Sequence, residues 1–369
     1  MIRVLHSVSN MSRAGIETFI MNYYRHMDRS KVQFDFWCNK KDPGEYEAEI
    51  AQLGGRVFRS PGYSPRKFPQ YVSEMKKAVL MEPKINVIHV HNGALGFYAL
   101  VSARLCGIRA RVYHAHSSMI PVGRGRRLKA AIKPLIKYAA NYLLTCSDKS
   151  GRFYYGDKRM DKGECMLLRN AIEVERFAFS QSTRDALRKQ YELSDKVVIA
   201  HVGRFTEAKN HLRLLQIFAC VKKRVPNAVL LLLGEGELEA QAREKAAQLE
   251  LSQDVRFMGS RADVSQWYQA FDLFLMPSVW EGLPVVAIEA QTASVPCVLS
   301  DAITTEAGIT ELVTFVSLKE SDEIWAQKIL DALKNAPPRV DRTAQVRNAG
   351  YDVAFEARRL QEFYLSIAK

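Results

Sequence analysis

Residues 271–290 read FDLFLMPSVWEGLPVVAIEA. The apolar run over residues 271–276 predicts a buried parallel strand, and the apolar run after Pro284 predicts a helix. Pro284 suits the first turn of that helix, where the N–H group that proline lacks would have no partner. Glu281 then lies in the loop at the carboxyl end of the strand, where open α/β sheets bind ligands. Glu289 lies one to two turns into the helix, and its side chain leans back toward the same crevice.

A second loop carries two cations in a comparable position. Residues 201–211, HVGRFTEAKNH, directly follow a predicted strand over residues 196–200. The planar guanidinium of Arg204 can hold two phosphate oxygens, and Lys209 adds a compact positive charge. The two side chains together suit a diphosphate, whereas an isolated Arg and Lys pair is also common on ordinary surfaces.

Both halves of the chain alternate short apolar strands with amphipathic helices, the pattern of parallel sheets built from βαβ units. The predicted strands cover residues 3–8, 32–37, 87–90, 110–115, 142–145, 197–202, 228–233, 255–257, 273–276 and 297–300. Helices are predicted between them, including residues 14–27 and a closing helix over residues 353–367. Residues 170–195 have no strong period and are interpreted as a link between the halves. With 369 residues the chain can build two cores, so the predicted fold is α/β with two domains.

The composition is that of a globular protein, with 47% hydrophobic and 25% charged residues. No stretch of 18 apolar residues is present, and the N-terminus turns polar after five residues without a signal-peptide pattern. We therefore expect a cytoplasmic protein. The six cysteines are scattered without C-x-x-C spacing, which favours reduced thiols over disulfides or a zinc site. No structural metal is expected.

The net charge of +13 is concentrated in the first half of the chain. Residues 1–180 hold 30 Lys and Arg against 15 Asp and Glu, and the remainder holds 23 against 25. Between Pro83 and Ser147 there are ten basic residues and no acidic one. Polybasic helices gain about 1 kcal/mol per residue near acidic lipid, which favours an anionic membrane surface over a merely solvated helix face. The basic patch comprises Arg124, Arg126, Arg127, Lys129, Lys133 and Lys137.

Two histidine pairs, His89 with His91 and His114 with His116, each end a predicted strand. A metal site is disfavoured because no carboxylate is available nearby to complete the ligands. The pairs could instead be polar caps that pack against helices, or one histidine could reach a substrate, with His116 the first choice and His114 the second. Gly15 begins the first predicted helix, where backbone N–H groups could hold an anion.

A glycoside hydrolase is a poor explanation of Glu281 and Glu289. Eight residues of ideal helix rise about 12 Å, whereas the paired carboxyl groups of glycosidases lie roughly 5–9.5 Å apart. A hydrolase would also have no use for Arg204 and Lys209. The two carboxylates are better suited to hold two parts of one long ligand.

Taken together, these residues resemble the family 4 retaining glycosyltransferases of the GT-B fold, especially the branch of bacterial exopolysaccharide and capsule biosynthesis. The similar segments are residues 15–19 (GIETF), 89–92 (HVHN), 114–117 (HAHS), 170–173 (NAIE) with Phe177, 257–264 (FMGSRADV) and the E-x7-E pattern of 281–289. Ala14 and Ala171 depart from glycines that are usual in the family, so close backbone approach is less expected there.

The resemblance implies two Rossmann-like parallel-sheet domains that face a central cleft. Residues 1–175 would form the acceptor-binding domain and residues 176–350 the domain that binds the nucleotide-sugar donor. A C-terminal helix within residues 351–369 would return to the first domain.

The resemblance also assigns roles to individual residues. His116 and Glu281 would be the catalytic residues and would contact the transferred sugar. Glu289 would hold the ribose hydroxyls, and backbone near Arg261 would read the base. Contacts with the donor diphosphate are implied for Gly15, Arg204, Lys209, Gly282 and Leu283.

The implied reaction is a retaining, metal-independent glycosyl transfer without a cofactor. A nucleotide-diphosphate sugar, with a uridine diphosphate (UDP) sugar as first choice, would donate to a saccharide acceptor that is expected to be lipid-linked, in cell-surface polysaccharide biosynthesis. The enzyme would associate peripherally with the anionic inner face of the cell membrane. A GT-B sugar-nucleotide epimerase is the nearest alternative. A basic nucleic-acid-binding module is more remote, because residues 124–137 contain no aromatic side chain for base stacking.

Overall fold

The computed structural model describes residues 1–13, 15–120 and 125–368. The chain divides into an N-terminal unit, Met1–Ala171 with Val353–Lys369, and a C-terminal unit, Ile172–Asp352. The sequence placed this division after residue 175. Each unit has its own sheet and its own hydrophobic core.

The N-terminal unit is built on a seven-stranded parallel sheet in the order β3-β2-β1-β4-β5-β6-β7. The strand order reverses direction next to β1, which is the doubly wound arrangement of nucleotide-binding folds. The strands are β1 Ile2–Val8, β2 Val32–Cys38, β3 Val57–Arg59, β4 Val87–Val90, β5 Ala110–Ala115, β6 Tyr142–Thr145 and β7 Cys165–Leu167.

The helices of this unit connect successive parallel strands. They are α1 Gly15–His26, α2 Glu47–Gln52, α3 Phe68–Leu80, α4 Gly96–Leu105, α5 Arg126–Ile132, α6 Ile136–Ala139, α7 Asp148–Tyr155 and α8 Asp157–Asp161. On α1 the apolar stripe is buried, as the 3.6-residue period predicts, with Tyr23 and Tyr24 at most 1% exposed.

The C-terminal unit repeats the architecture with a six-stranded parallel sheet in the order β10-β9-β8-β11-β12-β13. Its strands are β8 Val197–Val202, β9 Ala228–Leu233, β10 Val255–Gly259, β11 Leu273–Met276, β12 Cys297–Ser300 and β13 Val313–Val316. Its helices are α9 Val174–Phe177, α10 Gln181–Gln190, α11 His211–Arg224, α12 Glu239–Gln248, α13 Val264–Ala270, α14 Val285–Thr292, α15 Asp322–Lys334 and α16 Thr343–Asn348.

The last helix, α17 Val353–Ile367, belongs to the N-terminal unit, as the sequence predicted. It packs against α1, and its fully buried Tyr364 stacks edge-on against Phe34 of β2. The Tyr364 hydroxyl also forms a 2.5 Å hydrogen bond with Nδ1 of His89. The predicted α/β class with two Rossmann-like parallel-sheet domains is thus confirmed. Among the described residues, no helix combines the length and apolar character needed to cross a bilayer.

Five elements were not predicted from the sequence. Strands β3, β7 and β13 are short edge strands whose residues are mostly half-buried, so they lack the buried apolar runs that mark the equally short strands β4, β11 and β12. The other two are α9 and α10, which occupy part of the segment interpreted as a link, and the longer of them is α10. Its apolar content is low, and its start is marked by Ser180, whose hydroxyl accepts the N–H of Thr183.

Candidate functional site

In the C-terminal unit, the loops that follow β8 and β11 are fastened to each other at the carboxyl edge of the sheet. The N–H of Val279 donates to the carbonyl of Ala208 at 2.8 Å, and the side-chain amide of Asn210 donates to the carbonyl of Pro277 at 3.1 Å. Asn210 has φ 57°, a left-handed conformation that asparagine tolerates better than most residues. The two predicted ligand-binding loops therefore form one surface.

This surface brings Lys209 and Glu281 together. The Lys209 Nζ and Glu281 Oε1 atoms lie 2.7 Å apart, and the two side chains are only 17% and 15% exposed. Gly203 makes room for the lysine, because a Cβ atom there would lie 3.2 Å from Lys209 Cε and 2.9 Å from His201 Nε2. A cation and a carboxylate therefore lie side by side where β8 and β11 end.

Arg204 is placed differently from Lys209. Its side chain is 73% exposed and forms an ion pair with Glu237, whose side chain is 59% exposed. The Arg204 Nη2 and Glu237 Oε2 atoms lie 3.5 Å apart. A pair this exposed holds little energy, so the guanidinium can turn toward a ligand at small cost. Arg204 and Lys209 lie on the same loop, but the structure does not join them in one hydrogen-bonded group.

The glycines after β9 let neighbouring loops approach this surface closely. Gly234 has φ +136°, and a Cβ atom there would lie 2.2 Å from the carbonyl oxygen of Gly203. At Gly236 a Cβ atom would lie 2.5 Å from the carbonyl oxygen of Phe205. Any larger residue at either position would push the Arg204 loop away from the sheet edge.

Glu289 lies on the first turns of α14, as the sequence predicted. Its Oε2 accepts a 2.8 Å hydrogen bond from the hydroxyl of Tyr268, a buried residue of α13. Burial raises the pKa of Glu289 to about 7. Just before the helix, the backbone N–H groups of Gly282 and Leu283 donate to no described residue.

Arg261 lies in the loop after β10. Its guanidinium forms a two-fold hydrogen bond with the carboxylate of Asp263, at 2.8 and 2.7 Å. The neighbouring N–H of Ser260 donates to Glu235 Oε1 at 3.1 Å. The loop is thus held in shape by Asp263 and by Glu235 of the loop after β9.

In the N-terminal unit, five histidines lie together at the carboxyl ends of β1, β4 and β5. His6 Nδ1 is 3.0 Å from His91 Nε2, and His91 Nδ1 is 2.8 Å from His116 Nε2. His114 is fully buried, and neither of its ring nitrogens has a hydrogen-bond partner among the described residues. His89 is also fully buried. His116 is half-buried and is the better candidate for a ligand contact than His114.

His116 and His91 line a cavity of about 360 Å³. Basic, aromatic and apolar side chains surround it, a composition that suits a ligand with both charged and apolar parts. Among the lining residues are Ile16, Lys40, Tyr63, Met119, Ile120 and Lys129.

Two groups of three histidines have ring nitrogens close enough to hold a metal ion. They are His6, His89 and His91, and His91, His114 and His116, with the nitrogens of each group within 4.8 Å of one another. The sequence prediction of no metal rested on missing carboxylates and remains a prediction. Burial lowers the pKa of His6 and of His116 to about 3, so these rings stay neutral at physiological pH.

Gly15 is the first residue of α1. A Cβ atom at Gly15 would meet no described atom within 4 Å, so packing within the protein does not require glycine there. Open space at a helix N-terminus is compatible with the predicted anion contact. Glu17 also lies in this first turn and is mostly buried, and this burial raises its pKa.

The basic patch lies on α5, a short 3-10 turn at Lys133–Leu135, and α6. Arg126 and Arg127 are exposed. Lys133, a predicted member of the patch, is engaged within the protein, because its Nζ donates to the carbonyl of Phe153 at 2.7 Å and lies 3.9 Å from the centre of that ring. Arg124 lies outside the described residues. Lys129 faces the cavity and Lys137 is half-buried.

Comparison with known proteins agrees with this architecture. A family model described as "Glycosyl transferase 4-like domain" matches residues 14–154, and one described as "Glycosyl transferases group 1" matches residues 183–351. A protein of Bacillus subtilis (strain 168) that carries the name glycosyltransferase EpsF is 38% identical over 358 residues, covering 95% of this chain and 93% of its own length. The chain belongs to the GT-B glycosyltransferases of polysaccharide biosynthesis.

Two more distant relatives are informative about this glycosyltransferase. An Escherichia coli UDP-Gal:alpha-D-GlcNAc-diphosphoundecaprenol alpha-1,3-galactosyltransferase is 24% identical over 242 residues, 62% of each chain. The crystal structure of Anabaena Alr3699/HepE in complex with UDP and glucose has a TM-score of 0.78 and 18% identity, covering 99% of this chain and 100% of that one. The second likeness shows that the fold is shared.

Sequence reasoning missed three residues that shape the candidate site. His6 was overlooked because it lies in β1, and only the strand order pairs it with His89 in β4. Tyr268 was overlooked because its contact with Glu289 crosses from one helix to another. Trp280, 45% exposed beside Glu281, has a signal in the sequence, because it is a large aromatic residue in a predicted ligand-binding loop.

Proposed function

We propose that this glycosyltransferase moves a sugar from a UDP-sugar to a lipid-linked diphosphate saccharide, with retention of configuration and without a metal ion. The observation that carries the proposal is the close pair of Lys209 and Glu281 on the fastened loops of the C-terminal unit. Support for UDP comes from the bound UDP of the HepE structure. Support for the acceptor comes from the diphosphoundecaprenol in the name of the Escherichia coli relative.

The proposed donor site follows the arrangement of the C-terminal unit. Lys209 and Arg204 neutralise the diphosphate, together with the free N–H groups of Gly282 and Leu283. Glu289 accepts hydrogen bonds from the ribose hydroxyls, and the backbone near residue 261 faces the base. Glu281, released from Lys209 when the diphosphate takes its place, contacts the transferred sugar.

The proposed reaction is an attack of an acceptor hydroxyl on the anomeric carbon of the donor sugar. In its oxocarbenium-like transition state the bond to the diphosphate lengthens and negative charge grows on the leaving oxygen, which takes the proton of the attacking hydroxyl as the new glycosidic bond forms on the same face of the sugar. Lys209 and Arg204 stabilise this charge, which is the role that a metal ion has in other enzymes. In the N-terminal unit, Gly15 adds a backbone contact to the diphosphate and His116 contacts the sugar from its cavity.

The membrane proposal rests on the exposed surface of residues 126–138, the membrane face, which spans α5, the 3-10 turn and part of α6. Besides Arg126 and Arg127, this face carries three apolar side chains that are well exposed, Leu128 at 44%, Leu135 at 44% and Tyr138 at 68%. Exposed basic and apolar side chains that lie close together in the chain suit the interface of an anionic bilayer. We propose that this face binds the inner surface of the cell membrane, where a lipid-linked acceptor would be found.

The test of function is sugar transfer by the Lys209→Met variant. Methionine keeps the length of the side chain but removes the charge, so we expect kcat/KM for the UDP-sugar to fall about 30- to 1000-fold, the cost of one such contact being roughly 2–4 kcal/mol. Transfer to a lipid-linked diphosphate saccharide is measured by chromatography with UDP-glucose, UDP-galactose and UDP-N-acetylglucosamine, in the presence of EDTA.

Lys223→Met is the matched control, since Lys223 is an exposed lysine of the same unit. We expect it to transfer sugar at the wild-type rate. Wild-type efficiency of Lys209→Met, or loss of wild-type activity in EDTA, would contradict the proposed site. Consumption of the UDP-sugar at the same rate without an acceptor would instead indicate the epimerase.

A further inference from the structure

Three histidines form a continuous hydrogen-bonded chain that ends at the cavity of the N-terminal unit. The chain runs from His6 through His91 to His116, with nitrogen separations of 3.0 and 2.8 Å. His6 and His91 are buried, whereas His116 is half-buried and lines the cavity. Nδ1 of His116 forms no hydrogen bond with a described residue and is not among the enclosed atoms.

The protons in this chain can be ordered in only two ways. Burial keeps all three imidazoles neutral by lowering their pKa values, and a neutral imidazole has one N–H donor and one acceptor nitrogen. His91 bonds through both nitrogens, so it must donate at one and accept at the other. Its proton therefore fixes the direction of both hydrogen bonds.

In the inward order, His116 donates from Nε2 to His91, and His91 donates from Nε2 to His6. The proton of His6 then sits on Nε2, which is enclosed and has no hydrogen-bond partner among the described residues. The rings of Phe34 and Phe36 pack against His6, with their centroids 4.1 and 5.8 Å from the centroid of His6. Buried N–H groups without an acceptor are rarer in proteins than buried acceptors with an unused lone pair.

In the outward order, His6 donates from Nδ1 to His91, and His91 donates from Nδ1 to Nε2 of His116. The enclosed Nε2 of His6 then carries only an unused lone pair, and the remaining proton sits on Nδ1 of His116. We propose that His6 and His91 are positioning residues that fix His116 with its proton on Nδ1, so that His116 donates a hydrogen bond to a ligand oxygen in the cavity.

This order limits what His116 can do in the proposed transfer. A hydroxyl oxygen of a sugar is a suitable acceptor for the Nδ1 proton. His116 does not act as the base that removes a proton from an acceptor hydroxyl. To accept such a proton at Nδ1, His116 would need the inward order of hydrogen bonds. The proton of His6 would then lie on Nε2, where the described residues offer no acceptor. The contact with a sugar rests on the proposed function, whereas the order of the protons does not.

The experiment is a ¹H–¹⁵N multiple-bond spectrum of the full chain labelled with ¹⁵N-histidine, which reads the tautomer of each ring. Single His→Gln substitutions assign the signals. We expect His6, His91 and His116 to be neutral near pH 7.5 and protonated on Nδ1. A proton on Nε2 of His116 would overturn the proposal, and so would signals that shift when a chelator is added, since these would indicate a metal ion on the imidazoles.

His91→Phe and His114→Phe test the positioning role. The first keeps an aromatic ring but removes the donor to His116, so His116 should shift toward the Nε2–H form that a free histidine side chain prefers. His114→Phe makes the same change at a buried ring outside the hydrogen-bonded chain of histidines, with its centroid 4.0 Å from that of His116. This variant should leave the tautomer of His116 unchanged. An unchanged tautomer in folded His91→Phe would refute the role of His91. If that variant does not fold, the wild-type spectrum decides. Because no step needs turnover, failure here is distinct from failure to transfer sugar.

Discussion

Glu289 is a carboxyl group that titrates close to neutral pH. Its pKa is raised to about 7 because burial disfavours the charged form, while the hydrogen bond from Tyr268 works in the opposite direction. The ionised carboxylate can accept bonds from two ribose hydroxyls, whereas the protonated acid loses part of that capacity. Donor binding should therefore depend on pH in a range where most carboxylates do not titrate.

We predict that UDP-glucose binds more weakly as pH falls from 8 to 6, by up to about tenfold. The reason is that the ionised fraction of Glu289 decreases as the pH passes below the pKa of this carboxyl group. Isothermal titration calorimetry measures this, and UDP-glucose is preferred to UDP because its diphosphate has no ionisation in that range. Glu289→Gln, which cannot ionise, should bind weakly at every pH with a flat profile. A wild-type profile that is equally flat would contradict the ribose contact.

Individual residues of the donor site could be predicted where chemistry and loop position coincide. Lys209, Glu281 and Glu289 each follow a strand or begin a helix in the sequence, and the structure places them at that sheet edge. Their pairing could not be predicted, because the contact of Lys209 with Glu281 depends on two loops being fastened across the sheet. For the same reason His6 gave no signal until the order of β1 and β4 was known.

At the scale of elements, the short helices α5 and α6 carry the proposed membrane face. The double variant Arg126→Ser/Arg127→Ser should bind vesicles rich in anionic lipid more weakly, by about 2 kcal/mol or roughly 30-fold, because each basic residue contributes about 1 kcal/mol. Co-sedimentation with vesicles at low salt measures the change, and salt should weaken wild-type binding.

Lys328→Ser/Lys334→Ser is the control, because it removes two charges from exposed residues of α15 in the C-terminal unit. Equal losses in both double variants would show that only net charge matters. Wild-type binding that ignores lipid charge and salt would refute the membrane face altogether.

The elements themselves were predictable in proportion to their length and burial. Buried central strands such as β8, β9 and β11 have continuous apolar runs, and α17 has a clear 3.6-residue period, so each was predicted close to its bounds. The edge strands β3, β7 and β13 are half-buried and short, and their residues are ordered by pairing with a neighbour rather than by their own pattern. Helix α10 has too few apolar residues for its period to be visible.

At the scale of the whole molecule, the division of charge matches a division of proposed tasks. The basic residues are in excess in the first half of the chain, where the patch and the histidine cavity lie, whereas the second half is nearly balanced and holds the proposed donor site. A basic unit suits an anionic lipid surface and a diphosphate-linked acceptor. In a unit whose basic and acidic residues nearly balance, a few cations at defined positions can bind one diphosphate.

The anomeric configuration of the product tests the central claim most directly. Proton NMR of the saccharide made from the preferred UDP-sugar, with its α-linked donor sugar, reports the configuration of the new linkage. We predict an α-linked product that forms only when the acceptor is present, together with one UDP for each sugar transferred. A β-linked product would contradict retention, and release of UDP or conversion of the donor without a glycosylated acceptor would contradict the proposed transfer itself.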